Sequence, residues 1–162
     1  MAADSLGVLA IAWPYVSLFL AWLSSITVLL PTPAFAIAFA AGAAGLNPIL
    51  IGMSTGMGAA IGEMSTYFVA LGSSKLFLKR HKKQIAAVEK KFQEYRPSLV
   101  IFVFAATPLP IDVIGLACGA LEYPWKKFFL ATLAGKMVKF LALGYAGAVG
   151  AEWVQNFFQW GA

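Results

Sequence analysis

Residues 108–124 read Pro-Leu-Pro-Ile-Asp-Val-Ile-Gly-Leu-Ala-Cys-Gly-Ala-Leu-Glu-Tyr-Pro, and residues 31–48 read Pro-Thr-Pro-Ala-Phe-Ala-Ile-Ala-Phe-Ala-Ala-Gly-Ala-Ala-Gly-Leu-Asn-Pro. In both, a Pro-x-Pro is followed nine residues later by a glycine, Gly42 or Gly119, and then by a proline, Pro48 or Pro124, that opens a long apolar run. Pieces that recur in one order at one spacing make an internal repeat. Proline removes a backbone donor and clashes with the preceding turn, so each Pro-x-Pro should end one half-helix and start another in a new direction. The arms that follow, residues 33–44 and 110–121, would rise only about 18 Å as helices, short of a hydrocarbon layer of about 30 Å. The spacing therefore predicts re-entrant hairpins, with a kinked spanning helix as the alternative. A hairpin crosses zero times and a long helix once, so successive copies must sit upside down. The expected fold is an all-α membrane protein: an inverted-topology repeat of a re-entrant, Pro-broken hairpin plus a transmembrane helix.

Composition places this repeat in lipid. The chain has 162 residues, 60% hydrophobic and 12% charged, outside the range of soluble domains. From Ser5 to Gly62 no Asp, Glu, Lys, Arg or His occurs. The N-terminus, Met1 to Asp4, is not basic, and the apolar run outlasts a signal-peptide core, so no cleavable leader is expected. Whether residues 5–23 span or lie flat stays open. Two runs suit full spans, 48–71 and 124–147, both opened by proline. The single cysteine, Cys118, allows no internal disulfide and reads as a packing residue.

Lys75, Lys79, Arg80, Lys82, Lys83, Lys90, Lys91 and Arg96 carry eight of the twelve cations. Between them Leu78, Ile85, Val88, Phe92 and Tyr95 recur at helical spacing, predicting an amphipathic helix on the membrane surface, with the basic loop on the cytoplasmic side. One membrane domain, 1–162, thus divides into repeat one at about 16–72, a connection at 75–96 and repeat two at about 97–148.

Fifteen residues beyond Pro48 stands Glu63, and fifteen beyond Pro124 stands Lys139. Ionisable groups inside a bilayer are costly unless paired or hydrated, and read as functional by default. Asp112 follows Pro110 closely, and Lys136 lies one turn before Lys139. As candidates, Glu63 and Asp112 carry protons or position a cation, while Lys136 and Lys139 hold an anion such as phosphate. Purely structural pairing and snorkelling are the alternatives. Thr107, Pro108 and the helix start after Pro110 could also take an anion, by hydroxyl and by helix dipole, although capping explains Thr107 equally well. Met53, Met57 and Met64 read as packing or lipid contact, and Trp153, Phe157, Phe158 and Trp160 as an interfacial belt. No phosphate-binding Gly-rich loop, nucleophile elbow or Cys cluster occurs, so no enzymatic activity, cofactor, metal or nucleic-acid partner is expected.

Residues 104–119, Phe-Ala-Ala-Thr-Pro-Leu-Pro-Ile-Asp-Val-Ile-Gly-Leu-Ala-Cys-Gly, continuing through Tyr123-Pro124 to Gly135-Lys136, resemble the DedA family, also called the SNARE-associated or VTT-domain superfamily. Gly58-Ala-Ala-Ile-Gly-Glu63 with Tyr67 looks like its second signature, and Pro31-x-Pro33 extends the resemblance over nearly the whole chain. The resemblance implies two oppositely oriented re-entrant hairpins, flipping of polyprenyl-phosphate lipids or scrambling of phospholipids, and acidic positions at Glu63 and Asp112 tied to proton-dependent activity. It also adds Pro31, Pro33 and Tyr67 to the candidate ligand-binding residues. Many bacterial members carry arginines where this chain has Ala105 and Ile111, and an acidic residue near Ser24 and Ser25; the Thr-Pro-Leu-Pro form is closer to archaeal members. The expected function is flipping or scrambling of an anionic lipid, with polyprenyl phosphate favoured, in a multi-pass plasma-membrane protein whose partners are lipid and membrane, with a homo-oligomer left open. A proton-coupled solute carrier and a non-transporting scaffold are the rival readings.

Overall fold

The computed structural model describes residues 7–8, 11–13, 16, 33–73 and 79–160, the side chains of Pro33 and of residues 154–160 excepted. Among the described residues, these helices follow in order: α1 Pro33–Ala43, α2 Pro48–Leu71, α3 Lys82–Glu94, α4 Pro97–Ala106, α5 Ile111–Ala120 and α6 Trp125–Trp160. Pro31, residues 17–23 and Leu78 lie outside the described residues, as does most of repeat one before Pro33.

Proline sets most of the starts, for a local reason: its ring holds φ near the helical value and its missing N–H is not needed in the first turn. Pro48 opens α2 behind Asn47, whose side-chain oxygen accepts from the Ile49 N–H at 2.9 Å. Pro97 opens α4 in the same way, and Pro124 immediately precedes α6. The short helices stop at two turns of identical build. After α1, the Leu46 N–H donates to the Ala41 carbonyl at 3.1 Å around Gly45, whose φ is +79°. After α5, the Tyr123 N–H donates to the Cys118 carbonyl at 2.8 Å around Glu122, whose φ is +52°. These are the left-handed closures that satisfy the last carbonyls of a helix.

Glycine decides which helices touch. Gly52 lies against Leu141, Gly56 against Met137, and the Tyr67 ring stacks on Phe128 with centroids 5.3 Å apart. One index rises as the other falls, so α2 and α6 run antiparallel. The arms do not pack chiefly on their own long helices. A Cβ at Gly42 of α1 would strike the Gly144 carbonyl of α6, and one at Gly147 the Phe39 carbonyl. On the other side, a Cβ at Gly119 of α5 would strike the Tyr67 carbonyl of α2. Small residues thus let backbones meet, as helices in lipid require.

The apolar interior divides in two. Met64, Tyr67, Ile101, Ile114, Cys118 and Phe128 belong to one cluster, and Ala34, Ala38, Ile51, Ala59 and Phe140 to the other. Along α2, Gly52, Thr55, Gly56 and Glu63 are buried beside Ile51, Met64 and Tyr67, while Ile49, Leu50, Met53, Ile61, Phe68 and Val69 are exposed. A helix that buries its polar and small residues and exposes many large apolar ones suits a lipid surround.

Several expectations are corrected here. α6 does not stop near Gly147 but runs to Trp160, and within it Trp125–Trp153 is the one helix among the described residues long and apolar enough to cross a membrane. α2 has the length of a span, 24 residues, but its glycines, hydroxyls and Glu63 leave it less apolar. The amphipathic helix narrows to Lys82–Glu94. Its Val88 is buried, and Ile85 and Phe92 pack on the same cluster as α5, so that stripe is spent on protein rather than on lipid. Tyr95, counted in the stripe, stays exposed. The methionines split, Met53 and Met57 outward and Met64 inward.

Candidate functional site: a buried charge cluster between the long helices

The two apolar clusters leave a polar seam where α2 and α6 cross. Glu63 is 2% exposed and Lys136 7%, and the Lys136 ammonium lies 3.2 Å from Glu63 Oε2. Removing two charges from water costs several kcal/mol each, about as much as their attraction returns, so the pair adds little net stability. Lys139, 8% exposed, lies one turn on. Its ammonium donates to the Thr107 carbonyl at 3.1 Å and sits 5.2 Å above the Phe35 ring, so one side chain touches both the Pro-x-Pro break before α5 and the start of α1. Asp112 is half-buried in the first turn of α5, and both it and Lys139 are within Coulombic reach of Glu63.

Part of the seam is unsatisfied. Glu63 Oε1 has no hydrogen-bond partner, and it faces α5 where Gly115 leaves room, 3.5 Å from where a Cβ would stand. The hydroxyls of Thr55 and Thr132 are buried and equally without partners. Buried polar atoms are nearly always bonded, so these three atoms on α2 and α6 are exceptions. Among the described residues no group of His, Cys, Asp and Glu side chains is placed to hold a metal ion.

Of the residues singled out in the sequence, Glu63, Asp112, Lys136, Lys139 and Thr107 are brought together. Glu63 pairs with Lys136, and its positional counterpart Lys139 stands one turn further along α6 in the same cluster. The Thr107 hydroxyl donates to the Val103 carbonyl at 2.7 Å and thus caps α4; its contribution to the cluster is its carbonyl. Pro108 and Pro110 are exposed at the break, and Asp112 already occupies the α5 N-terminus with negative charge, which disfavours an anion there. Pro33 is the first residue of α1, away from this account because its side chain is not described. Tyr67 is 3% exposed and its hydroxyl donates to the Tyr123 carbonyl at 2.6 Å, tying α2 to the turn before α6. Thr55, Thr132 and Phe35 were not foreseen. Thr132 lies one turn before Lys136 and Thr55 two turns before Glu63, a signal visible once those faces are known to be buried.

A family model described as the VTT domain matches residues 15–149. The chain belongs to the VTT-domain family. That family is the SNARE-associated, or DedA, superfamily of membrane proteins. Among curated proteins, this VTT chain is 31% identical over 100 residues to vacuole membrane protein KMS2 of Arabidopsis thaliana, covering 51% of this chain and 24% of that protein. It is 35% identical over 107 residues to the vacuole membrane protein 1 homolog of Dictyostelium discoideum, covering 51% and 27%. The VTT chain thus spans about a quarter of the length of the curated relatives it matches. No solved structure matches it.

Proposed function

We propose that this VTT-domain chain moves an anionic lipid between bilayer leaflets, with a polyprenyl phosphate as the favoured substrate, in a multi-pass plasma-membrane protein. The observation that carries the reading is the Glu63–Lys136 pair, buried between two long antiparallel helices with Glu63 Oε1 left unpartnered. A phosphate headgroup cannot cross hydrocarbon without polar partners, and a seam of this kind supplies them. The antiparallel long helices, the arms exchanged between them and the twin turns at Gly45 and Glu122 support two units of opposite orientation. Short arms broken by proline then bring backbone carbonyls, such as that of Thr107, to the same seam.

In this reading an arriving phosphate takes Lys136 from Glu63, and the released carboxylate takes up a proton or cation at Oε2. Lys139 holds the two arms together while Lys136 changes partner. The test is lipid flipping in proteoliposomes, comparing a polyprenyl phosphate with an ordinary phospholipid, for wild type and Glu63→Gln. Selective movement of the polyprenyl phosphate that the variant loses is the expected result. No movement of either lipid by folded protein would sink the proposal. A second reading, carriage of a small cation, is favoured by the unpartnered Glu63 Oε1; cation flux without lipid movement would select it.

A further inference from the structure

Away from the seam, a groove of about 700 Å³ lies between α4 and the first turns of α6. Its composition is divided. Arg96, which precedes α4, and Lys127, in the first turn of α6, stand on its wall with Ser98, and the rest is apolar: Leu99, Phe102 and Leu130. Arg96 and Lys127 are exposed, and neither makes an ion pair among the described residues. Leu99 and Leu130 are 54% and 63% exposed, so the apolar wall is open to its surroundings.

The direction of the groove follows from helix packing. Ser98 and Leu99 share the groove with Lys127 and Leu130, while further along Phe102 and Ala105 meet Gly135. The indices rise together, so α4 and α6 run parallel and the cations sit at one end of a furrow whose apolar length leads away from them. Lys126 lies over the Trp125 ring, 5.7 Å from its centroid, at that same end. An amphipathic indole beside lysines is the usual marker of the headgroup level.

We propose that this groove docks one anionic phospholipid of the surrounding leaflet, its phosphate between Arg96 and Lys127 near Ser98 and one acyl chain along Leu99, Phe102 and Leu130. Charge complementarity selects the occupant: two cations that make no ion pair among the described residues, continuous with an open apolar wall, match a headgroup joined to a chain and do not match a free phosphate or a neutral lipid. The site is separate from the Glu63 seam. It deepens the lipid reading above and rests on it only for the presence of a bilayer.

The experiment is native mass spectrometry of the full chain in detergent, titrated with equimolar phosphatidylglycerol and phosphatidylcholine, with and without inorganic phosphate. Wild type should retain one phosphatidylglycerol preferentially, and phosphate should not displace it. Arg96→Gln with Lys127→Gln should weaken retention roughly 30-fold, on the order expected for two surface cations. Leu130→Trp, which fills the furrow and leaves both charges, should weaken it several-fold. A control pair on α3, Lys82→Gln with Lys83→Gln, should change it less than twofold, with circular dichroism confirming helicity throughout. Unchanged preference in the Arg96 and Lys127 pair, an equal loss in the control pair, or full displacement by phosphate would each overturn the proposal. Because the readout is binding, a chain that holds lipid here and moves none sinks the transport reading alone, and one that moves lipid but holds none here sinks this one alone.

Discussion

α1 and α5 are the same length of chain to within a residue, end in the same left-handed turn and dock through a glycine at the same position, yet their surroundings differ. α1 carries no charged residue and lays Gly42 on the Gly144 backbone, with Phe35 beneath the Lys139 ammonium. α5 carries Asp112 in its first turn, lays Gly119 on the Tyr67 backbone and presents Gly115 to Glu63. Backbone geometry has been kept in both arms while acidic chemistry has gathered on one side. Steric contacts between backbones tolerate no Cβ, so they must match; charge needs only one member of each pair, so it is free to diverge.

Burial of charge offers the largest test of that asymmetry. Glu63→Ala leaves Lys136 buried without a partner and should cost about 3–5 kcal/mol, read as thermal unfolding of the detergent-solubilised protein. Combining Glu63→Gln with Lys136→Met should recover much of that loss, because no uncompensated charge remains; equal losses in the single and double variants would show that the pair is not coupled. Next in size, Gly42→Val and Gly119→Val each force a side chain into a backbone carbonyl and should cost about 1–3 kcal/mol. Losses that differ by more than a factor of two would mean the arms dock less alike than their glycines indicate.

Tyr67→Phe removes the hydroxyl bonded to the Tyr123 carbonyl and should cost about 1–2 kcal/mol in the same assay, with no counterpart in the other half. Smallest are the two turns. Glu122 holds a left-handed φ without glycine's freedom, so Glu122→Gly should stabilise by about 0.5–1 kcal/mol, whereas Gly45→Ala should destabilise by about 1 kcal/mol. Opposite signs from one turn geometry would confirm that the two turns are conformational equivalents.

Much of this organisation is local and could be read directly. Pro48 and Pro97 open helices because proline's constraint acts within its own turn. The arms, expected over 33–44 and 110–121, end one residue sooner as helices, at Ala43 and Ala120. Other features escaped because their causes are distant in sequence. The apolar run suggests an end to α6 near Gly147, but that glycine takes no left-handed turn, and the Phe39 backbone of α1 packs against it as the helix runs on. The stripe of Ile85, Val88 and Phe92 looked identical for a lipid or a protein partner until α5 was beneath it.

From the sequence alone came the lipid environment, the recurring Pro-x-Pro pattern, the positions of the helix-opening prolines and the four charged residues of the seam, because composition, proline sterics and the cost of intramembrane charge act on single residues or short windows. Tertiary structure alone decided that α1 docks on α6 and α5 on α2, and that Glu63 pairs with Lys136 while Lys139 reaches the Thr107 carbonyl. Those outcomes depend on how far each helix is rotated about its axis when glycines let backbones meet, and a single turn of helix separates one lysine from the other.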